Sequence, residues 1–185
     1  STVGRCILNL MKPTAGTLAY KGTEYSRLNR AQRKEVQREM QMVFQDPNYS
    51  LNPRVCVWDT VYNTLKVKGD LSPDQCRQMT REALDQVYLK EADYNKYAHQ
   101  LSAGQQQRVG IARAIAAHPR FIVLDEPTSS LDVSIRAEII DLLRKLQDTM
   151  GVSYLFISHD LSTIQYICNR VAVMYLGSIV EYGTV

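Results

Sequence analysis

The chain has 185 residues, 45% hydrophobic and 22% charged, a balance that excludes disordered, collagen-like and disulfide-scaffold classes. Lys and Arg number 22 against 19 Asp and Glu, and the resulting net charge of +3 is too small for a nucleic-acid groove or a polybasic membrane anchor. No apolar run approaches the roughly 18 residues of a membrane span, and Cys6, Cys56, Cys76 and Cys168, without CxxC or metal-ligand spacing, read as reduced cytosolic thiols.

The chain opens STVGRC, with no initiator Met, signal peptide or leading strand, as though it began inside a longer unit. Val3, Ile7, Leu8, Leu10 and Met11 form a helical stripe over residues 1–11, which Lys12-Pro13 ends. Residues 16–25 alternate weakly around Lys21-Gly22 and predict a short hairpin or edge strand. Residues 27–39 predict a charged helix; its mixed signs, with no interleaved aromatics, make a solvated face rather than a nucleic-acid patch. A short apolar strand over 40–44 runs into Gln45-Asp46-Pro47, and 48–54 is loop-like.

Helical signals then dominate to about residue 97, with helices over 58–67 and 72–89. Ser72-Pro73 is a cap followed by proline at the first helical position, and Met79, Ala83, Leu84 and Val87 form the apolar face. The region reads as a helical insertion in an α/β domain. From residue 100 the order is helix, strand, helix, strand, helix, strand, strand, with no internal repeat.

Three places carry chemistry. Phe121-Ile122-Val123-Leu124 reads as a strand buried on both faces, as in a parallel sheet, and it ends in Asp125-Glu126. Ligands of open α/β sheets bind at that end. One carboxylate there would hold Mg²⁺ and the other would polarise an attacking water; taken alone, the pair slightly favours two solvated acids. Residues 153–158 repeat the pattern and end in Ser158-His159-Asp160, with Ile135, Ile139, Leu142, Leu143 and Leu146 at helical spacing between the strands. That βαβ unit brings both strand ends to one edge, so His159 is expected near Glu126 or its substrate. A Ser-His-Asp triad is excluded because adjacent residues on one strand end cannot chain their hydrogen bonds, and His99 and His118 have no comparable setting.

The third place is Leu101-Ser102-Ala103-Gly104-Gln105, the start of a helix to about residue 117. Ser102 and Gln105 fit a capping box ahead of the apolar face Val109, Ile111, Ala112 and Ile115. It is either an ordinary capped helix or a first turn whose N–H groups meet an anion. Gly104 has no evident benefit in the ordinary case, since glycine weakens helices.

In this order and spacing the residues resemble the nucleotide-binding subunit of an ABC transporter over essentially the whole chain. MVFQDP is similar to the Q-loop with Gln45, LSAGQQQR to the family signature, FIVLDEP to the Walker B strand, SSLD to the D-loop ending at Asp132, and ISHD to the switch-histidine loop. FQDPNYSLNPR and VAVMYLGSIVEYG resemble the oligopeptide, dipeptide and nickel branch of importers. STVGR looks like the end of the phosphate loop GxxGxGK[ST] and the helix behind it. The glycines, the phosphate-gripping lysine and the earlier strand with an adenine-stacking aromatic do not occur, so the resemblance implies a chain truncated within that loop. Ala103 stands where the signature usually has its first glycine, and Ser130 where the D-loop often has alanine.

The resemblance implies an α/β, P-loop NTPase-like cassette: a mainly parallel sheet with helices on both faces and an inserted helical subdomain, lacking its N-terminal strands. Residues 1–47 and 118–185 would be core and 48–117 helical subdomain. It implies ATP and Mg²⁺ as cofactors, with Ser1, Gln45 and Asp125 as metal ligands, Thr2 near the α-phosphate, Glu126 as general base, and His159 and Gln45 assisting. Leu101, Ser102, Ala103, Gly104, Gln105 and Asp132 are implied as further nucleotide-binding residues, and the segment from Ser102 to Gln105 would cap the nucleotide held by a head-to-tail partner cassette. The partners implied are a second ABC ATPase subunit, transmembrane permease subunits and, indirectly, an external solute-binding protein, with no nucleic acid. The place implied is peripheral, on the cytoplasmic face of the inner membrane. The chain alone is expected to bind ATP poorly and hydrolyse almost none. Competing readings are a soluble ABC ATPase of translation or repair and a non-catalytic regulatory subunit; the 55 residues between Gln45 and Leu101 leave no room for the long arm of the repair class.

Overall fold

The computed structural model describes residues 1–67 and 70–185, so positions 68 and 69 of the expected helical stretch, and the side chains of Asn48 and Tyr49, lie outside the described residues. In chain order the elements are α1 (Thr2–Ile7), β1 (Ala19–Tyr20), β2 (Thr23–Glu24), α2 (Arg30–Glu39), β3 (Met40–Val43), α3 (Pro47–Ser50), α4 (Val57–Lys66), α5 (Pro73–Gln86), α6 (Ala103–Ile115), β4 (Phe121–Asp125), α7 (Val133–Met150), β5 (Ser153–Ile157), α8 (Leu161–Ile167), β6 (Arg170–Tyr175) and β7 (Ser178–Thr184).

The order predicted from residue 100 onward matches element for element. Boundaries differ where local chemistry outweighs periodicity. α1 stops at Ile7 rather than near Met11, because Asn9 turns left-handed (φ 55°), a conformation asparagine tolerates. α2 begins at Arg30 rather than Arg27: Tyr25–Arg27 make a 3₁₀ turn, and Asn29 and Gln32 exchange side-chain and backbone bonds as a capping box. The loop expected at 48–54 opens with the helical turn α3. β1 and β2 are the expected hairpin, with left-handed Lys21 and Gly22 at its turn. Ser72 and Gln75 form the capping box of α5, with Pro73 at its first position.

β3, β4 and β5 make a parallel sheet in that order, with Val43 opposite Leu124 and Asp125 opposite Ile157. Their carboxyl ends therefore share one edge. Successive residues of β4 serve opposite faces. Ile122 and Leu124 join the large core built with α4–α7, whereas Val123 joins a smaller cluster with Leu8, Tyr25, Leu28, Met40 and Met42. β4 is buried on both faces, as its apolar run requires. β6 and β7 form a separate antiparallel hairpin whose Met174, Tyr175, Ile179 and Val180 are exposed.

Two close approaches fix the geometry. A Cβ on Gly4 would stand 2.7 Å from Val123 Cγ1, so only glycine lets α1 descend this far onto β4. A Cβ on Gly104 would stand 2.6 Å from Ile135 Cγ2, so the first turns of α6 and α7 meet with no room for a methyl group. Gly104 thus has the packing reason that its sequence context lacked.

Candidate active site

The seating of α1 carries Ser1, its N-cap, to the end of β4. The Ser1 hydroxyl donates to Asp125 Oδ1 at 3.0 Å. Asp125 is only 2% exposed, so its carboxylate is held at the sheet edge and aimed at one place.

Glu126 follows in a left-handed conformation (φ 48°), which is sparsely populated for a residue with a side chain. Three hydrogen bonds hold it there: its N–H donates to Ile157 O at 2.9 Å, and its carbonyl accepts from the Ser129 N–H at 3.3 Å and the Ser129 hydroxyl at 3.1 Å. The kink turns the carboxylate toward the end of β5, where Glu126 Oε1 lies 3.1 Å from His159 Nδ1. The expected juxtaposition of Glu126 and His159 is present. His159 itself is 76% exposed, leaving the rest of its ring open to an incoming group.

Gln45 lies just past β3 on the same edge and is exposed, as is Thr2 at the start of α1. Asp132 caps α7, accepting from the Ile135 N–H at 3.0 Å and the Ser134 hydroxyl at 2.8 Å; the Ile135 backbone bond, then Ser134, holds its carboxyl below the usual range.

Ser102 and Gln105 form the predicted capping box: the Ser102 hydroxyl takes the Gln105 N–H at 3.3 Å, and Gln105 Oε1 takes the Ser102 N–H at 3.0 Å. Gln105 Nε2 also donates to Oδ2 of buried Asp93 at 3.2 Å, while Lys96 pairs with Oδ1 at 2.6 Å. Leu101 is buried beneath the turn, and Ser102 and Ala103 are exposed. Among the described residues no hydrogen bond or ion pair joins 101–105 to Ser1, Asp125, Glu126 or His159.

Sequence reasoning missed Asp93 and Arg136. Arg136 donates to Asp160 Oδ2 at 3.3 Å and to the Leu131 carbonyl at 3.4 Å. Its position was a signal: a cation in the first turn of a helix opposes the helix dipole and needs a partner elsewhere.

A buried carboxylate paired with a hydroxyl offers the hard oxygen donors that Mg²⁺ takes, the remaining positions being filled by phosphate and water. Among the described residues no three His, Cys, Asp or Glu side chains gather for a metal.

The parallel sheet, its acidic edge and the capped helix α6 packed beside it define a P-loop NTPase cassette. The pattern that describes the family "ABC transporter" matches residues 1–129, and the chain belongs to that family. It is 45% identical over 184 residues to a putative peptide import ATP-binding protein of Brucella ovis, covering 100% of this chain and 58% of that protein. It is also 45% identical over 183 residues to the oligopeptide transport ATP-binding protein OppF of Bacillus subtilis, covering 98% of this chain and 60% of that one. The chain thus spans about 58% of the length of the Brucella relatives it matches. Among solved structures it superposes on the ATP-binding cassette MJ0796, a dimer in a post-hydrolysis state bound to ADP and Pi (TM-score 0.83, 29% identity, 99% of this chain, 79% of that one). It superposes equally on cbiO1 of Clostridium perfringens, part of the transporter complex cbiONQ (TM-score 0.86, 28% identity, 99% of this chain, 71% of that one).

Proposed function

We propose that this chain is the ATP-hydrolysing part of a subunit that drives peptide import through a membrane permease. The observation that carries the reading is the double pairing at one sheet edge, Ser1 on Asp125 and His159 on Glu126. Ser1 and Asp125 would hold Mg²⁺, and Gln45 would reach it from β3. The metal, when bound with ATP, would neutralise phosphate charge and hold the phosphates in place. Glu126 orients the attacking water and accepts its proton; His159 holds that carboxylate and offers its exposed face to the γ-phosphate.

The segment 101–105 would complete the site of a second cassette. The support is that, among the described residues, no hydrogen bond or ion pair joins it to the acidic edge, together with first-turn backbone N–H groups fit for an anion. Asp132 lies between the two groups, since it caps the helix whose Ile135 touches Gly104. The division into core (1–47 and 118–185) and helical subdomain (48–117) belongs to this reading.

A cavity of about 450 Å³ lined by Leu8, Leu10, Met40, Phe44, Thr64 and Arg113 lies beside β3, and Arg113 donates to the Ser50 carbonyl at 2.7 Å. That surface, next to 46–54, is where a permease would engage. Among the described residues no helix is long and apolar enough to cross a membrane, which suits a peripheral subunit on the cytoplasmic side. Peptide is the cargo of this reading because the Brucella and Bacillus relatives, each 45% identical, are a putative peptide import and an oligopeptide transport ATP-binding protein.

The test is Mg²⁺-dependent ATP binding and turnover by the subunit assembled with its permease. Asp125→Asn is expected to abolish the Mg²⁺ dependence and to lower turnover about 100-fold or more. Unchanged Mg²⁺ dependence would contradict the assignment.

A further inference from the structure

We propose that Arg136 is a positioning residue that locks the loop of Glu126 to the loop of His159; the proposal rests on the reading of those two side chains as the hydrolytic pair. The guanidinium stands where helix electrostatics disfavour it, in the first turn of α7. Its Nε is buried without a hydrogen-bond partner, a further cost. Two contacts offset these costs, and each lands on a different loop.

Nη2 donates to the Leu131 carbonyl at 3.4 Å. Leu131 ends the stretch that begins at Glu126, and that stretch is bound to itself by Ser129 on Glu126 O and by the Leu131 N–H on Thr128 O at 3.2 Å. Nη1 donates to Asp160 Oδ2 at 3.3 Å. Asp160 directly follows His159 and cannot swing freely. Its carboxylate accepts from the Ser162 N–H at 3.0 Å, the Thr163 N–H at 3.4 Å and the Thr163 hydroxyl at 2.9 Å, and its own N–H donates to the Ser158 hydroxyl at 3.0 Å.

One planar fork therefore bridges two internally rigid turns whose tips meet at Glu126 Oε1 and His159 Nδ1. A backbone bond, from the Glu126 N–H to Ile157 O at 2.9 Å, joins the two loops at their roots, and Arg136 joins them further out. A guanidinium reaches the carbonyl and the carboxylate from two nitrogens held in one rigid plane, whereas the three donors of an ammonium share a single nitrogen on a flexible stem. Arg136 touches no reacting atom. It fixes whether the imidazole stands on the carboxylate.

The ring-nitrogen NMR spectrum of the whole chain reads this without nucleotide, since it holds only three histidines, His99, His118 and His159. Glu126→Ala gives the signals of a His159 without its partner. Arg136→Ala is expected to move the His159 signals toward that spectrum while His99 and His118 stay in place, with Arg136→Lys falling between. In the assembled transporter the same substitution should lower kcat about 10–100-fold with KM for ATP unchanged. His159 signals in folded Arg136→Ala that coincide with those of the unsubstituted chain would overturn the proposal. Should Arg136→Ala not fold, Asp160→Asn removes the same contact while keeping a capping side chain, and the same two outcomes apply. A Glu126→Ala spectrum with His159 unmoved would overturn the hydrolytic pair itself, and the positioning role with it.

Discussion

Glu39 gathers three partners away from the acidic edge: Lys21 lies 2.7 Å from its Oε2, the Tyr20 hydroxyl donates to that oxygen at 2.7 Å, and Arg120 stands 3.9 Å from Oε1. The Lys21 bond, then the Tyr20 bond, holds the Glu39 carboxyl below its ordinary value of 4.5, while burial and then Glu39 push Tyr20 from 10.0 up to about 12. The signs are opposite. Glu39 contributes stability that is full above pH 4.5 and is lost as pH falls through its depressed value; Tyr20 contributes stability that is full below pH 10 and is lost as pH rises toward about 12. Thermal midpoints measured across pH should therefore fall less steeply at both extremes in Glu39→Gln than in the unsubstituted chain. Parallel pH profiles would exclude the cluster as a source of pH dependence. Asp125, Glu126 and His159 could be singled out in the sequence because each stands just past a continuous apolar run; the two acids alone slightly favoured a solvated pair, and the order and spacing of the motifs tipped the reading. Asp93 and Arg136 could not, since both act through contacts that only folding creates.

At the scale of elements, α6 meets α7 through a position with no room for a methyl group. Gly104→Ala puts a methyl 2.6 Å from Ile135 Cγ2, and the β-branched side chain has little freedom to yield. A loss of about 1–3 kcal/mol in unfolding free energy is expected from such overpacking, measurable by urea denaturation. One residue earlier the methyl is already present: Ala103 is exposed, and Ala103→Gly should have little effect on the fold. Ser102→Ala removes the cap of α6 and should cost about 1 kcal/mol. Helix existence and order were readable from the 3.6-residue period; helix ends were not, because Asn9 and Asn29 set them by left-handed geometry and capping rather than by hydrophobicity. The need for glycine at 4 and 104 lies in the distance between elements, and no local pattern encodes it.

At the scale of the whole molecule, the segments 1–47, 48–117 and 118–185 share a continuous core, for Val43, Val61, Leu84, Ile115 and Leu124 belong to one buried cluster. In the proposed reading, a push from the permease near 46–54 would be carried by α3, whose Ser50 carbonyl Arg113 holds at 2.7 Å. Burial lowers the pKa of Arg113, and its removal leaves that carbonyl without its donor. Arg113→Met should leave basal ATP turnover of the subunit within about threefold but reduce its stimulation by peptide and binding protein in reconstituted vesicles. Equal stimulation in both proteins would place the coupling route elsewhere.

The central claim is that Glu126 activates the water that attacks ATP at an edge where Asp125 and Ser1 hold the metal. It is tested most directly by comparing ATP binding with ATP turnover in Glu126→Gln, using the subunit assembled with its permease. Binding should be retained and turnover should fall about 10²–10⁴-fold, the span of a lost general base. Turnover that persists at the unsubstituted rate would contradict the account.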